Sequence, residues 1–238
     1  MIRPLLLLLA ALALPGCVAS HRTRTVGKGH LGTSLSLGGP MQTQKGVAPM
    51  PMAFLGGRYG LRDDLDVSLD LNLTAPIILG LPLDAQTAVQ WAPIQPGLRG
   101  QAADRGFSAV GAASVDWVSD FSTGFRAFPA LTLTGAYRWP RVAPYLGLTT
   151  ALDFYRPFER KNPLSLNPYV GAEVFLGKGV GLDLELQIRE ASTNLWGENM
   201  QWVVLSRNEE KERTFGVLTP MIGVTWDFDP HPATEESQ

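Results

Sequence analysis

The chain has 238 residues, 45% of them hydrophobic and 18% charged, with a formal net charge of −2. That charged share lies below the roughly 25% of an ordinary soluble domain, and the near-neutral balance offers no basic field for nucleic acid. A single cysteine excludes an internal disulfide framework, and no stretch reaches the roughly 18 to 20 apolar residues of a spanning helix, so any membrane crossing must be made by strands.

Residues 1–16 open with Met1-Ile2-Arg3-Pro4, run from Leu5 to Leu14 in Leu and Ala only, and close with Pro15-Gly16. A basic start, a short apolar run and a small residue before a cut site are the marks of a secretory signal. Leu14-Pro15-Gly16-Cys17 resembles the lipobox of bacterial lipoproteins, with Leu14 and Gly16 at matching positions and Pro15 where that family usually has Ala or Ser. The resemblance implies passage through lipoprotein export machinery, cleavage before Cys17, and acylation of its thiol and new amine with palmitate-like chains. In that family an Asp after the Cys retains the protein at the inner membrane. Val18 stands there, which implies export to the outer membrane. The alternative is an ordinary signal cut farther along, with Cys17 a bystander. Residues 17–29 are read as the lipidated Cys and a tether. Val18 to Gly29 is polar and basic, with His21, Arg22, Arg24 and Lys28, and its composition suits a flexible linker.

From 30 to 228 the pattern is β. His30 to Leu37 alternates, with Leu31, Leu35 and Leu37 on one face. Gly38 to Met50 is a long loop, and Met52 to Tyr59 a second strand. Leu65 to Thr74 alternates strictly: Leu65, Val67, Leu69, Leu71 and Leu73 against Asp66, Ser68, Asp70 and Asn72. A helix cannot use a period of two, because its faces repeat every 3.6 residues. Ala75 to Gly106 holds four prolines and one weak strand near Thr87 to Ile94. Phe107 to Val118, Ala130 to Trp139, Pro144 to Phe154 and Asn167 to Leu176 alternate in turn. Gly177-Lys178-Gly179 is a tight turn. Val180 to Glu190 sets Leu182, Leu184, Leu186 and Ile188 against Asp183, Glu185, Gln187 and Arg189. Ala191 to Arg213 is long and charged. Thr214 to Phe228 is the last strand, and 229–238 a polar tail expected to be disordered.

That makes about ten strands, an even number as bacterial barrels have, with short and long connections alternating. If the first strand runs outward from the anchor, the short turns fall on the periplasmic side. Aromatics then gather at both ends: Tyr59, Tyr137, Trp139, Tyr145, Phe175, Trp226 and Phe228 at the periplasmic end, and Trp117, Phe154, Tyr155 and Phe215 at the outer end. Two aromatic girdles are what a bilayer interface selects. The girdle set is Tyr59, Trp117, Trp139, Tyr145, Trp226 and Phe228. Asp66, Asp70, Asp183 and Glu185 would face inward, with Arg58, Arg138 and Arg189 as partners, because unpaired charges in a confined lumen are costly.

The chain after Gly29 thus resembles small outer-membrane β-barrel proteins of Gram-negative bacteria. The resemblance implies an antiparallel up-and-down barrel of about ten strands, contact with outer-membrane lipids, and dependence on barrel-insertion machinery. In that family the final strand ends on an aromatic residue. Here ten residues follow Phe228. The function expected is a lipid-anchored barrel of structural, adhesive or narrow-pore type. One alternative is a soluble periplasmic lipocalin-like barrel tethered by Cys17, with the Leu faces turned inward around an apolar ligand, since alternation does not say which side is wet. Another is a barrel enzyme acting on membrane lipid. His21, His30 and His231 are the only histidines, with no second Cys or clustered His to build a zinc site. No nucleophile and base stand out, so no catalytic residue, metal or cofactor is expected.

Overall fold

The computed structural model describes residues 20–42, 48–49, 51–74, 76, 83–92, 105–120, 124–152, 164–177, 179–192, 204–208 and 213–228. The barrel strands are β1 (Leu31–Gly38), β4 (Met52–Arg62), β5 (Leu65–Asn72), β6 (Leu83–Trp91), β7 (Gly106–Asp120), β8 (Gly124–Arg138), β9 (Val142–Leu152), β10 (Leu164–Gly177), β11 (Val180–Ser192) and β13 (Arg213–Phe228). Each pairs antiparallel with the next, and β1 closes on β13, from Leu31 opposite Phe228 to Gly38 opposite Met221. The result is a closed ten-stranded meander barrel. Two short elements, β2 (Met41–Gln42) and β3 (Ala48–Pro49), pair as a small hairpin beyond the end of β1.

Burial decides which face is which. Leu184 is 45% exposed, while its neighbours Asp183 and Glu185 are 1% and 5% exposed. The same division holds on β5, where Leu69 faces out and Asp66 and Asn72 are buried. Leu35, Leu55, Leu131, Leu133, Leu146, Val170 and Ile222 continue the outer apolar belt around the barrel. Such a belt is far larger than the apolar patch a monomer keeps in water. The interior is lined mostly by Ser, Thr, Gln, Asp, Glu and Arg, with Met52, Phe54 and Tyr145 among the apolar exceptions. The lipocalin-like alternative required the Leu faces inside, and this arrangement reverses it.

Three connections at one end are short: residues 63–64, 139–141 and 178–179. Gly177 and Gly179 have φ of +94° and +75°, which lets the last of these turn back within two residues. The connection 92–105 is the long exception at that end. At the other end, 39–51, 73–82, 153–163 and 193–212 are long, but 121–123 is not. β7 and β8 run on through residues that the alternation had left between strands. The weak strand near 87–94 is β6, set earlier, because Leu83, Thr87, Val89 and Trp91 point out while Asp84, Gln86 and Gln90 point in.

The stretch 191–213, read as a charged loop, contains β12 (Val204–Asn208). Its reason lies in β13, which continues to Arg213 although β1 covers it only as far as Met221. That leaves backbone N–H and C=O groups along one edge, and β12 pairs there, Val204 with Val217 to Asn208 with Arg213.

Candidate functional site

A ten-stranded barrel encloses more space than an eight-stranded one, whose wall side chains alone fill it. Here the extra space holds residues 20–28, the segment expected to be a flexible tether. Residues 20–23 are buried inside the lumen, 24–27 are half-buried toward its rim, and Lys28 is exposed at the rim; none of them joins a strand. Gly27 and Gly29, at φ +91° and +77°, turn it out of the rim and into β1. The Gly29 N–H donates to the Gly60 carbonyl at 2.8 Å, and the Gly60 N–H to the His30 carbonyl at 3.0 Å.

The contacts climb the wall from that rim. The Val26 N–H donates to Asp66 Oδ2 at 3.1 Å, and Arg24 Nη2 to Asp227 Oδ2 at 2.8 Å. Thr23 Oγ1 donates to Glu173 Oε2 at 2.5 Å. Deeper in, Arg22 Nη1 donates to Asp183 Oδ2 at 2.7 Å, with both side chains buried. His21 is clamped on three sides. Its backbone N–H and Nδ1 meet Glu185 at 2.9 and 3.0 Å, its Nε2 meets Thr149 Oγ1 at 3.0 Å, and its ring stacks on Tyr169 at 3.5 Å. Ser20 Oγ lies 3.3 Å from Ser36 Oγ. Charge-assisted bonds of this kind hold a group more tightly than neutral ones.

The sequence-chosen charges therefore all lie in the barrel wall; the expected Arg58–Asp66 pair forms, and Asp183 and Glu185 take partners from the inserted segment. Arg58 stands 3.9 Å from Asp66 and 3.1 Å from Asp227, and also donates to the Arg24 carbonyl. Asp183 and Glu185 are partnered by Arg22 and His21 of the inserted segment. Asp70 packs over Gly56, where an added Cβ would come within 2.1 Å of its Oδ1. Arg138 lies 5.2 Å from the centre of the Phe175 ring, and Arg24 lies at the same distance from that ring. Arg189 bonds Gln187, which in turn bonds Glu185. The signal for the missing partners lies in the wall, whose inward carboxylates outnumber its arginines, and Arg22 and Arg24 supply cations against them.

The girdle assignment needs two corrections. Tyr145 is buried inside the barrel, where its hydroxyl donates to Glu185 at 2.8 Å and its ring meets Tyr169 edge-on. Phe175 also faces inward, beneath Arg24 and Arg138. Parity explains both: Leu146 and Glu173 fix the faces of β9 and β10. Tyr59, Tyr137, Trp139, Trp226 and Phe228 do face outward at the short-turn end, joined by Trp91 and Phe107. Trp117 faces outward toward the other end, its Nε1 donating to Thr87 at 2.8 Å. Phe154 and Tyr155 lie outside the described residues, as do Leu14, Gly16 and Cys17.

Thr149, His21 and Glu185 form a hydroxyl–imidazole–carboxylate line, the connectivity of a nucleophilic triad. Thr149 is 3% exposed and its hydroxyl also lies 2.9 Å from Thr132 Oγ1. The line is enclosed by the segment that supplies the His, so it acts as a clamp. No group of three or more potential metal-ligating side chains is found among the described residues.

The fit at the rim is tight. A Cβ on Gly60 would lie 1.6 Å from the Gly27 carbonyl oxygen, a backbone atom that cannot swing away. Gly60→Ala should cost about 1 to 3 kcal/mol, as overpacking does, read as a shift in the urea midpoint of the refolded barrel. An unchanged midpoint contradicts the seating of Gly27 against β4.

No protein-family model matches the sequence, and no curated protein matches it. Solved structures similar to the chain include CymD, a monoaromatic hydrocarbon channel, at TM-score 0.42 and 9% identity, covering 87% of this chain and 90% of that one. The outer membrane protein OprG of Pseudomonas aeruginosa is similar at TM-score 0.32 and 14% identity, covering 86% and 99%. Ail, the attachment invasion locus protein of Yersinia pestis, is similar at TM-score 0.25 and 10% identity, covering 84% and 99%. The barrel described above rests on its closed strand pairing and not on these likenesses.

Proposed function

We propose that this chain is an outer-membrane barrel lipoprotein, anchored through Cys17, of structural or narrow-pore type. The observation that supports it is the inversion of the two faces: hydrocarbon-like outside, hydrogen-bonded and charged inside. Only a bilayer solvates such an exterior without cost, and a closed barrel leaves no unpaired edge within it. The outward aromatics of the short-turn end, Tyr59, Trp91, Phe107, Tyr137 and Trp139, suit the headgroup level. That end is the periplasmic one on this reading, and the long connections face outward. Export and insertion would use the lipoprotein and barrel-insertion machineries. The lumen does no chemistry in this reading.

The anchor has its own test. Metabolic labelling with a palmitate analogue should mark the wild type and miss Cys17→Ala. Equal labelling of both contradicts lipidation at this residue and leaves an unanchored barrel.

A further inference from the structure

We propose that residues 20–28 are a removable cationic plug, and that the wall they leave behind is a cation-selective pathway. This rests on the narrow-pore reading. Five wall carboxylates touch the plug through its side chains or backbone: Asp66, Glu173, Asp183, Glu185 and Asp227. One wall guanidinium, Arg58, touches it as well. The plug returns Arg22 and Arg24 as ion-pair partners. The seat is thus a built site for guanidinium groups, occupied by the chain's own segment. Once the segment leaves, the exposed carboxylates attract cations and repel anions, as a ring of Asp and Glu does in other pores.

The segment is suited to leave. It adds no strand to the barrel, so its removal breaks no strand pairing. Its hold is side-chain bonds and ion pairs. The anchor supplies an opposing pull. Cys17 stands three residues ahead of Ser20, a reach of about 10 to 11 Å when extended. Ser20 sits beside Asp183, three residues into β11, and Ser36, five residues into β1. That reach does not exceed the depth of the seat, since the five residues from Leu31 to Ser36 alone span about 17 Å of strand. Acyl chains in the periplasmic leaflet and Ser20 on its seat compete for the same short stretch.

The test is planar-bilayer recording of refolded protein. With Cys17→Ser, the full plug should give a small, mostly closed conductance. Deleting residues 20–28 should raise it several-fold, with the reversal potential in a KCl gradient displaced toward that of potassium. A second variant guards against misfolding of the deletion. Ser20→Cys with Ser36→Cys, in the Cys17→Ser background, places two thiols where the hydroxyls are 3.3 Å apart. Oxidation should lock the channel shut, and reduction should restore openings. An acylated wild-type preparation should open more often than Cys17→Ser, and equal opening overturns the anchor's pull on the plug. Failure of the disulfide to form, or equal conductance with the plug locked, free and deleted, overturns the plug itself. Insertion is scored separately by heat-modifiable gel mobility. A chain that never inserts contradicts the membrane barrel, whereas one that inserts and conducts alike in every variant contradicts only the gate.

Discussion

Asp183→Leu should destabilise the folded barrel by about 3 to 5 kcal/mol, the range for breaking a buried ion pair from one side. Asp183 is 1% exposed and accepts from Arg22 and Ser20. Its loss leaves a guanidinium in the lumen without its closest counter-charge, 2.7 Å away in the native chain. The larger part of the effect is the stranded cation, not the lost attraction, because a buried pair roughly balances its own desolvation. Arg22→Met combined with Asp183→Leu should therefore be much milder than the single change. Urea titrations of the refolded variants measure both. A single-variant cost under about 0.5 kcal/mol, typical of open surface sites, contradicts a closed lumen holding this segment.

Leu184→Arg should cost about 2 to 4 kcal/mol in vesicles, falling to about 0 to 1 for an Arg near an interface. Leu184 sits four residues into β11 and faces out at 45% exposure. Leu182 lies two residues nearer the Gly177–Val180 turn, so Leu182→Arg should be the milder of the two. The cause is the dryness of the bilayer centre, where a guanidinium finds neither water nor headgroups. Titrations of the two variants in the same vesicles settle the order. Equal costs at both positions contradict the assignment of this face to lipid.

Much of the fold is legible in the chain itself. The strict alternation of Leu65 to Asn72 and Val180 to Arg189 fixes strand and register together, because a slip of one residue would exchange the two faces. Which face is wet was not legible from alternation, and burial of Asp183 beside exposed Leu184 decides it. The lodging of residues 20–23 in the lumen was not legible in their own composition. Polar and basic composition describes a solvated linker and a lumen ligand equally well. The distinction lies in the wall, whose inward Asp66, Asp70, Asp183 and Glu185 exceed the three arginines set against them. Tyr145 and Phe175 lie near strand ends yet face inward, because parity and not closeness to an end sets the face of a strand residue. β12 has no local signature. It exists because a long neighbour has an uncovered edge, which is a property of the closed sheet and not of residues 204–208.

The central claim is that the Leu face meets lipid while the charged face encloses the chain's own N-terminal segment. Refolding the wild type with and without lipid vesicles tests it most directly. The chain should enter vesicles, resist unfolding at room temperature in detergent gels, and protect Trp117 and Trp226 from aqueous quenchers. Without lipid or detergent it should stay unfolded or aggregate, since its outer belt has no solvent. A chain that folds cooperatively in plain buffer and never enters vesicles would contradict the account.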